Sequence, residues 1–370
     1  MSADREYMTR ALALAEKGLY TTDPNPRVGA VVVKDDQIIG EGYHLQAGTP
    51  HAEVHALQQS GEAARGATCY VTLEPCSHFG RTPPCADALV KAGVARVVVA
   101  MEDPNPLVSG QGISRLRQAG IQVDIGLLAD EAAALNPGFI SRMRRGRPWV
   151  RLKLAASVDG RTALANGASQ WITGPEARAD VHHLRARSSA IVTGIGTVLA
   201  DDPQLNPRLE VPLPRQPWRV ILDRELRTPV QARLFQRPGP VMICHAAGAP
   251  RLRKAVLQEL GAHLEQLPES QNALDLTAFW HLLNTHEMNE VLVEAGPTLA
   301  GALIMGGWVD ELVIYLAPKL LGPDAMPLAR LPVFEELSQV PQFRLQDCRM
   351  LGNDARLIMT AGHQVQPDGI

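Results

Sequence analysis

Residues 51–56 read HAEVHA, and residues 74–85 read EPCSHFGRTPPC. These two segments place imidazole, carboxylate and thiol groups close together along the chain. Zinc prefers neutral imidazole and thiolate ligands, and a catalytic zinc site uses three protein ligands and keeps one coordination position open. His51, Cys76 and Cys85 supply that set of ligands. The pattern therefore predicts a catalytic zinc site with one ion per chain.

Glu53 lies two residues after His51, at the start of a predicted helix. From there its carboxylate can reach the open coordination position without filling it. We expect Glu53 to be the catalytic residue that moves protons between an activated water molecule and the substrate.

Both predicted cysteine ligands follow proline. Cys76 follows Pro75 at the end of a predicted strand, and Cys85 follows Pro84 and opens a predicted helix. The free N–H groups and the dipole of a helix N-terminus favour a thiolate. A single cysteine is more often a small buried apolar residue. The combination of His-x-Glu with two Pro-Cys pairs favours a metal site.

Two alternatives concern the neighbouring histidines. His55 is four residues from His51, so it could face the same side of a helix and compete as the ligand. A zinc protease of the His-Glu-x-x-His type is excluded, because Ala52 follows His51. If His55 or His78 were a fourth ligand, the site would be closed, and the chain would be a zinc-stabilised interaction module.

The composition limits the class of protein. A chain of 370 residues usually forms two domains. A net charge of -3 argues against a general nucleic-acid-binding surface. The sequence contains neither an apolar run of the ~20 residues that span a bilayer nor a secretory signal, so we expect a cytoplasmic protein without membrane contact. Its 5 cysteines do not suggest a disulfide framework.

Hydrophobic periodicity predicts α/β architecture in both halves of the chain. The first half reads as a helix at 4–18, a hairpin at 28–44 and then alternating helices and strands to residue 126. The periodic pattern stops at the basic run RMRRGRP (142–148), which is interpreted as a solvated connector. The predicted domains are therefore 1–145 and 146–370. In the second half, strands are predicted at 149–156, 190–194, 219–223 and 240–245, in NEVLVEAG and in ELVIYLAP, with a helix near 175–187 and two others.

The zinc motif carries a family resemblance. HAE followed by two cysteines resembles the zinc-dependent cytidine deaminase superfamily, although that superfamily usually spaces its cysteines as Cys-x-x-Cys. The longer form EPCSHFGRTPPC, together with TTDPNPRVGAVVV upstream, resembles the deaminase domain of the bifunctional riboflavin-biosynthesis deaminase/reductases. This resemblance implies a cytidine-deaminase-like three-layer domain over residues 1–145. It also implies substrate contacts by Asn25, His44, His78 and Arg81.

The second half has no Rossmann fingerprint, because TGIGTVLADDPQL lacks the third glycine. The segment EAGPTLAGAL (294–303) follows a predicted strand and opens a helix, whose N–H groups could bind a phosphate. In this order, LKLAASVDGRTA, SQWITG, GIGTVLADDPQLNPR and VEAGPTLAGALI resemble the reductase domain of the same family. The resemblance implies a dihydrofolate-reductase-like fold that uses NADPH.

The same resemblance assigns residues in the reductase half. The implied NADPH contacts are Ala155, Trp171, Thr197, Asp201, Gly296, Pro297, Thr298, Leu299, Ala300, Gly301 and Ala302. The implied substrate contacts are Lys153, Ser169, Arg185, Leu205, Arg208 and Glu294, with Asp159 expected close to the chemistry. Arg185 and Arg208 suit bidentate binding of a sugar phosphate. Asn206 stands where the family more usually has Thr.

The implied function is a two-step conversion in riboflavin biosynthesis. The first step is zinc-dependent hydrolytic deamination of 2,5-diamino-6-(5-phosphoribosylamino)pyrimidin-4(3H)-one. The second is NADPH-dependent reduction of 5-amino-6-(5-phosphoribosylamino)uracil to 5-amino-6-(5-phosphoribitylamino)uracil. The expected partners are these small molecules and further copies of the chain in a dimer or tetramer. The alternative is a nucleic-acid-editing deaminase with a fused binding domain, which would need a basic stripe with stacking aromatic residues.

Overall fold

The computed structural model describes residues 3–77, 83–106 and 108–362. The chain forms two compact units, which are Met1–Arg147 with Glu287–Asn289, and Pro148–His286 with Glu290–Ile370. None of the helices in the described ranges combines the length and apolar character that crossing a membrane requires.

The first unit is a five-stranded mixed sheet covered by helices. Its strands are β1 (Gly29–Lys34), β2 (Gln37–Tyr43), β3 (Thr68–Val71), β4 (Arg96–Val99) and β5 (Gln122–Ile125). Its helices are α1 (Ala3–Glu16), α2 (Ala52–Ser60), α3 (Cys85–Ala92), α4 (Gln111–Gln118), α5 (Ala129–Leu135) and α6 (Pro137–Arg145). The strand order is β2-β1-β3-β4-β5. Strand β1 is antiparallel to β2 and β3, whereas β3, β4 and β5 are parallel.

Strand β1 shows how the sequence specifies three layers. Successive side chains of a strand point to opposite faces of the sheet. Ala30 and Val32 pack in the core that includes residues of α2, α3 and α4, and Val31 and Val33 pack in the core that includes residues of α1, α5 and α6. All four residues are buried. This arrangement confirms the predicted three-layer class.

Helix α2 lies unusually close to strand β2. An added Cβ would lie 2.1 Å from the Ala56 carbonyl oxygen at Gly40, and 2.3 Å from the Ala52 carbonyl oxygen at Gly42. Any side chain at these two positions would displace the helix backbone, because a carbonyl group within a helix cannot rotate away. The two glycines therefore set the distance between α2 and the sheet.

The interpretation of RMRRGRP as a solvated connector is wrong for its first four residues. They belong to α6, which ends at Arg145. The next residue, Gly146, caps the helix in the left-handed conformation, with a φ of 63°. Asn136 precedes this helix and fixes it through two hydrogen bonds with the backbone of Arg27, of 2.8 and 2.9 Å. Phe139 faces the core. The basic side chains at the end of the helix interrupt the apolar pattern in the sequence, so the short apolar face of the helix did not stand out.

The second unit is built on a nine-stranded sheet and also contains two sheets of two strands each. Its strands are β6 (Trp149–Ser157), β7 (Arg161–Ala163), β8 (Ala190–Gly194), β9 (Trp218–Leu222), β10 (Val241–His245), β11 (Ala262–Gln266), β12 (Glu269–Ser270), β13 (Ala273–Leu274), β14 (Glu290–Glu294), β15 (Glu311–Ala317), β16 (Met326–Pro327), β17 (Phe343–Leu351) and β18 (Asp354–Ala361). Its helices are α7 (Pro175–Arg187), α8 (Ile195–Asp201), α9 (Arg251–Glu259), α10 (Leu276–Thr285) and α11 (Pro297–Met305). The order of the large sheet is β11-β10-β9-β8-β14-β6-β15-β18-β17, and the two small sheets are β12-β13 and β16-β7. In this order across the large sheet, the seven strands from β11 to β15 are parallel to one another. Strands β18 and β17 complete the sheet as an antiparallel edge.

The parallel strands place their carboxyl ends along one edge of the sheet, which is where open α/β sheets bind ligands. Strand β14 ends at Glu294, and β8 ends at Gly194 and leads directly into α8. Helix α8 and the β17–β18 hairpin were not predicted from the sequence. Helix α8 is only 7 residues long. In the hairpin, β17 is mostly exposed and β18 is mostly half-buried, so neither strand shows a clear alternation.

We predict that Gly42→Ala lowers the free energy of unfolding by about 1–3 kcal/mol, because the new methyl group forces α2 away from the sheet. Urea unfolding followed by circular dichroism measures the change. Gly248→Ala is the control, since nothing lies within 4 Å of a Cβ at that position. Equal stability of the two variants would contradict the prediction.

Candidate active sites

The predicted metal ligands of the first unit converge. The ligand atoms of His51, Cys76 and Cys85 all lie within 4.8 Å of one another. His51 immediately precedes α2, Cys85 is the first residue of α3, and Cys76 lies in the loop that follows β3. The Cys85 backbone N–H donates a hydrogen bond to Cys76 Sγ at 3.3 Å, which ties the loop to the helix.

The geometry of this cluster fits zinc. The His51 Nδ1 atom is 3.6 Å from Cys76 Sγ and 3.3 Å from Cys85 Sγ. Tetrahedral zinc, with Zn–S of about 2.3 Å and Zn–N of about 2.0–2.1 Å, holds a sulfur and a nitrogen about 3.6 Å apart. In the described part of the chain, no fourth His, Cys, Asp or Glu joins the group, so His55 does not close it. His78 lies outside the described residues.

The electrostatics of the cluster favour a cation. Hydrogen bonds from Cys85 and His51 lower the pKa of the Cys76 thiol to about 4. The same neighbour, Cys76, raises the pKa of Cys85 and the pKa of His51. The thiolate of Cys76 therefore favours the protonated forms of both of its neighbours. A divalent cation would keep both sulfur atoms as thiolates.

Glu53 is buried beside the cluster, with 3% of its surface exposed. Burial raises the pKa of Glu53 to about 7, and the negative charge of Cys76 acts in the same direction. A carboxyl group that titrates near neutral pH can both accept and donate a proton at that pH. Its environment therefore suits a proton carrier.

His44 and Asn25 lie next to His51. The His44 and His51 rings are in edge-to-face contact with centroids 5.2 Å apart. Burial lowers the pKa of His44 to about 4, so its ring is neutral near pH 7. Because His44 Nδ1 faces the Pro50 carbonyl oxygen at 3.3 Å, we assign the proton to Nδ1, and Nε2 accepts a hydrogen bond from the Asn25 amide at 3.0 Å. The structure thus places Asn25 and His44 beside the metal ligands, whereas Arg81, like His78, lies outside the described residues.

Glu74 is a buried residue of this region that the sequence analysis missed. One carboxylate oxygen accepts hydrogen bonds from the backbone N–H groups of Gly112 at 2.9 Å and Ile113 at 3.3 Å. The other accepts them from Asp103 at 3.1 Å and Gly110 at 3.0 Å. Glu74 precedes Cys76 by two residues, so it anchors the ligand loop to the start of α4. In the sequence, the feature that could have indicated this role is the position of Glu74 directly before Pro75 and Cys76.

The second unit contains a pocket of about 700 Å³ at the carboxyl edge of its sheet. It brings together 10 of the residues predicted for the reductase half: Lys153, Ala155, Ser169, Trp171, Arg185, Thr197, Asp201, Leu205, Arg208 and Glu294. Leu205 lines this pocket with only 2% of its surface exposed, and its φ is 48°. Asp159 does not line the pocket, and its carboxylate instead accepts hydrogen bonds from the backbone of Leu321 and Gly322.

An ion pair organises the floor of this pocket. Arg185 donates to both carboxylate oxygens of Glu294, at 2.6 and 2.9 Å, and to the Asn206 carbonyl oxygen at 3.2 Å. Burial raises the pKa of Glu294, but Arg185 outweighs it and brings the pKa to about 2. Burial lowers the pKa of Lys153, whose ammonium group lies over the Tyr315 ring. The pocket thus holds a permanently ionised carboxylate beside a lysine that gives up its proton more readily than usual.

The predicted cofactor loop 296–302 is instead the N-cap and the first turns of α11, and it begins beside the pocket. A Cβ on Gly296 would lie 3.7 Å from Thr197 Oγ1. Thr298 and Ala302 are exposed, and Pro297 and Leu299 are partly exposed. Ala300 and Gly301 are buried, and an added Cβ on Gly301 would lie 2.0 Å from the Arg330 carbonyl oxygen. These last two positions therefore face the core.

Trp171 and His182 line the same pocket. Trp171 is 63% exposed, so it does not contribute to the core, and the Arg178 guanidinium lies 4.6 Å from the centre of its ring. His182, which the sequence analysis did not identify, accepts a hydrogen bond from Arg208 Nε at 3.3 Å. Burial, together with Arg185 and Arg208, lowers the pKa of His182 to about 4, so the ring is neutral near pH 7.

Comparisons with known families assign each half of the chain. The cytidine and deoxycytidylate deaminase zinc-binding region matches residues 1–101, and the RibD C-terminal domain matches residues 148–357.

Several known proteins match this chain over nearly its whole length. The riboflavin biosynthesis protein RibD of Escherichia coli (strain K12) is 52% identical over 365 residues, which cover 96% of this chain and 98% of that protein. The structure of RibD from Acinetobacter baumannii, form 1, superposes with a TM-score of 0.91 at 49% identity and covers 98% of this chain and 99% of that one. A diaminohydroxyphosphoribosylaminopyrimidine deaminase/5-amino-6-(5-phosphoribosylamino)uracil reductase from Thermotoga maritima has a TM-score of 0.85 at 34% identity, covering 97% and 99%.

The fold and the two sites define a zinc-binding deaminase domain joined to a reductase domain in one polypeptide. The chain belongs to the RibD family, the bifunctional deaminase/reductases of riboflavin biosynthesis. This confirms the predicted family and function, and favours them over a nucleic-acid-editing deaminase. The reductase domain also implies a nucleotide cofactor.

We predict that Glu74→Gln weakens zinc binding by about 10- to 100-fold, the usual effect of removing a group that orients a metal ligand. The glutamine amide would meet two backbone N–H groups that need an acceptor, so the loop carrying Cys76 would shift. Competition with a chromophoric chelator measures the affinity. Glu102→Gln, a change at an exposed position, is the control, and equal affinities of the two variants would show that Glu74 does not position the ligand.

We also predict that His182 titrates near pH 4, below the usual value for histidine, because burial and two arginines disfavour its protonated form. NMR titration of the imidazole protons measures this, and the His182→Gln variant identifies the resonance. A midpoint near 6.5 would contradict the environment described for the ring.

Proposed function

We propose that the first unit deaminates 2,5-diamino-6-(5-phosphoribosylamino)pyrimidin-4(3H)-one, and that the second unit reduces 5-amino-6-(5-phosphoribosylamino)uracil with NADPH. The relative from Thermotoga maritima has these substrates in its name. The observation that carries the proposal is the three-ligand cluster of His51, Cys76 and Cys85 with the buried Glu53 beside it. We also propose that the two activities divide between residues 1–145 and 146–370.

In the deaminase half, His51, Cys76 and Cys85 would hold zinc. The ion would supply Lewis acidity that makes a water molecule acidic near neutral pH. Glu53 accepts a proton from that water and returns it to the departing amine, so the exocyclic C–N bond breaks, a C–O bond forms and ammonia leaves. A pKa of about 7 for Glu53 suits both transfers. Asn25 and His44 lie where they can orient the pyrimidine ring.

In the reductase half, NADPH would supply the hydride. The opened ribosylamine has a carbon-nitrogen double bond, and its reduction consumes one hydride and one proton. Lys153 would give the proton, and the burial that lowers its pKa supports this role. Glu294 holds Arg185 in a fixed orientation, and a further N–H on each terminal nitrogen of that guanidinium remains for the substrate. Arg208 and Ser169 would complete the substrate side. Ala155, Trp171, Thr197, Asp201 and the exposed residues of the segment 296–302 would form the cofactor side.

Incubation of the purified full-length chain with the diaminopyrimidinone ribosyl phosphate tests the assignment. Without NADPH, we expect a mass change that corresponds to the exchange of an amino group for oxygen. With NADPH, we expect a further gain of two hydrogen atoms. An unchanged substrate in both reactions would refute the assignment, and a change only in the presence of NADPH would refute the assigned order of steps.

We predict that Glu53→Gln retains zinc but loses nearly all deamination, because glutamine keeps the size of the side chain but cannot accept the proton from water. General acid–base catalysis of this kind contributes roughly 10²- to 10⁴-fold to a rate. Ammonia release measures the activity, and metal analysis measures the zinc content. The rate of the reductase step on the uracil substrate is the internal control and should not change. Ammonia release at the wild-type rate would exclude Glu53 as the proton carrier.

A further inference from the structure

Two arginines that form no ion pair with a carboxylate of the described residues face the reductase pocket. Arg208 and Arg233 both line it. Over the described residues, 3–77, 83–106 and 108–362, neither guanidinium forms an ion pair; Arg208 donates to His182 Nε2, and the backbone N–H of Arg233 donates to Asp202 Oδ1 at 2.9 Å. Arg185 in the same pocket, by contrast, is paired with Glu294. The pocket therefore carries positive charge that the protein itself does not balance.

The positive charges of the arginines in and near this pocket repel one another. Burial lowers the pKa of Arg208, and the positive charges of Arg185, Arg233 and Arg237 lower it further. Like charges that lie close together in one pocket repel one another. An anion bound between them removes that repulsion, so the arrangement is the one expected of an anion site.

The backbone that carries Arg233 is firmly held. Arg219 is 1% exposed, and its guanidinium donates to the carbonyl oxygens of Leu234, Arg237 and Gly239. Leu234 is fully buried in the core. The bond from the Arg233 N–H to Asp202 adds a link to the end of α8, the helix that contains Thr197 and Asp201. Arg233 is thus an exposed side chain on a fixed segment, aimed at a pocket.

We propose that Arg233, together with Arg208, binds the phosphate monoester of a ligand in the reductase pocket. A guanidinium matches a phosphate with two parallel hydrogen bonds, and two guanidiniums match the charge of its dianion. The inference rests on the proposed function, in which two ligands carry such a group: the ribosyl substrate on its 5′ oxygen and NADPH on its 2′ oxygen. The pyrophosphate of NADPH, in which each phosphorus carries one ester bond and one anhydride bond, is not the group meant here.

Steady-state kinetics of full-length Arg233→Ala tests the proposal and separates the two sources. If the site binds the sugar phosphate, KM for the uracil ribosyl phosphate rises about 10- to 100-fold, with little change for the dephosphorylated nucleoside. If it binds the cofactor, KM for NADPH rises by that factor and KM for NADH does not change. In either case Arg233→Lys should recover part of the loss, because it keeps the charge. Arg227→Ala, an exposed arginine outside this pocket, is the control.

A binding measurement that needs no turnover distinguishes failure of this inference from failure of the proposed function. Calorimetric titration of the full-length chain with ribose 5-phosphate, adenosine 2′-phosphate and the two unphosphorylated compounds reports the anion site directly. Loss of phosphate-dependent affinity in Arg233→Ala supports the inference even if the wild type reduces neither substrate. Equal affinities in the wild type and Arg233→Ala, or equal losses for phosphorylated and unphosphorylated ligands, would overturn it.

Discussion

The close approach of helix α2 to strand β2 is the constraint on which the metal centre depends. Gly40 and Gly42 have no side chains, so the helix backbone lies directly against the strand. His51 immediately precedes this helix and Glu53 lies in its first turn. A wider separation would move the imidazole away from the two cysteines, whose loop and helix are held by other contacts. The ligands that the sequence spaces apart therefore meet in a metal site only because two residues of a neighbouring strand have no side chain.

Two buried carboxylates show how burial serves different chemistry in the two units. Glu53 and Glu294 are both removed from water, and burial alone raises the pKa of each. For Glu53, burial outweighs the opposing charge of His51, and its pKa reaches about 7. Glu294 receives a bidentate ion pair from Arg185, and its pKa falls to about 2. The first group can exchange a proton near neutral pH, whereas the second can only hold charge and geometry.

The sequence predicted those parts of the molecule that depend on local pattern. Strands β1 to β6, β8 to β10, β14 and β15 and the helix at 175–187 followed from periodicity, and the zinc ligands followed from residue type and neighbouring prolines. Glu74 and Arg233 were missed because their importance comes from distant partners: four backbone N–H groups in one case, and a second arginine in the other. Helix α6 was missed because its exposed basic end outweighs a short apolar face. The family resemblance supplied most of the reductase residues, and their individual roles remain predictions.

The alternation of side chains along β1 has a consequence for how this domain can vary. Ala30 and Val32 belong to one hydrophobic core, and Val31 and Val33 belong to the other. Insertion of a single residue within the strand would exchange the two sets, because successive residues point to opposite faces of a sheet. Both cores would then receive side chains of the wrong volume at the same time. Natural variants should therefore change length in the turns around β1, while the strand itself keeps its number of residues.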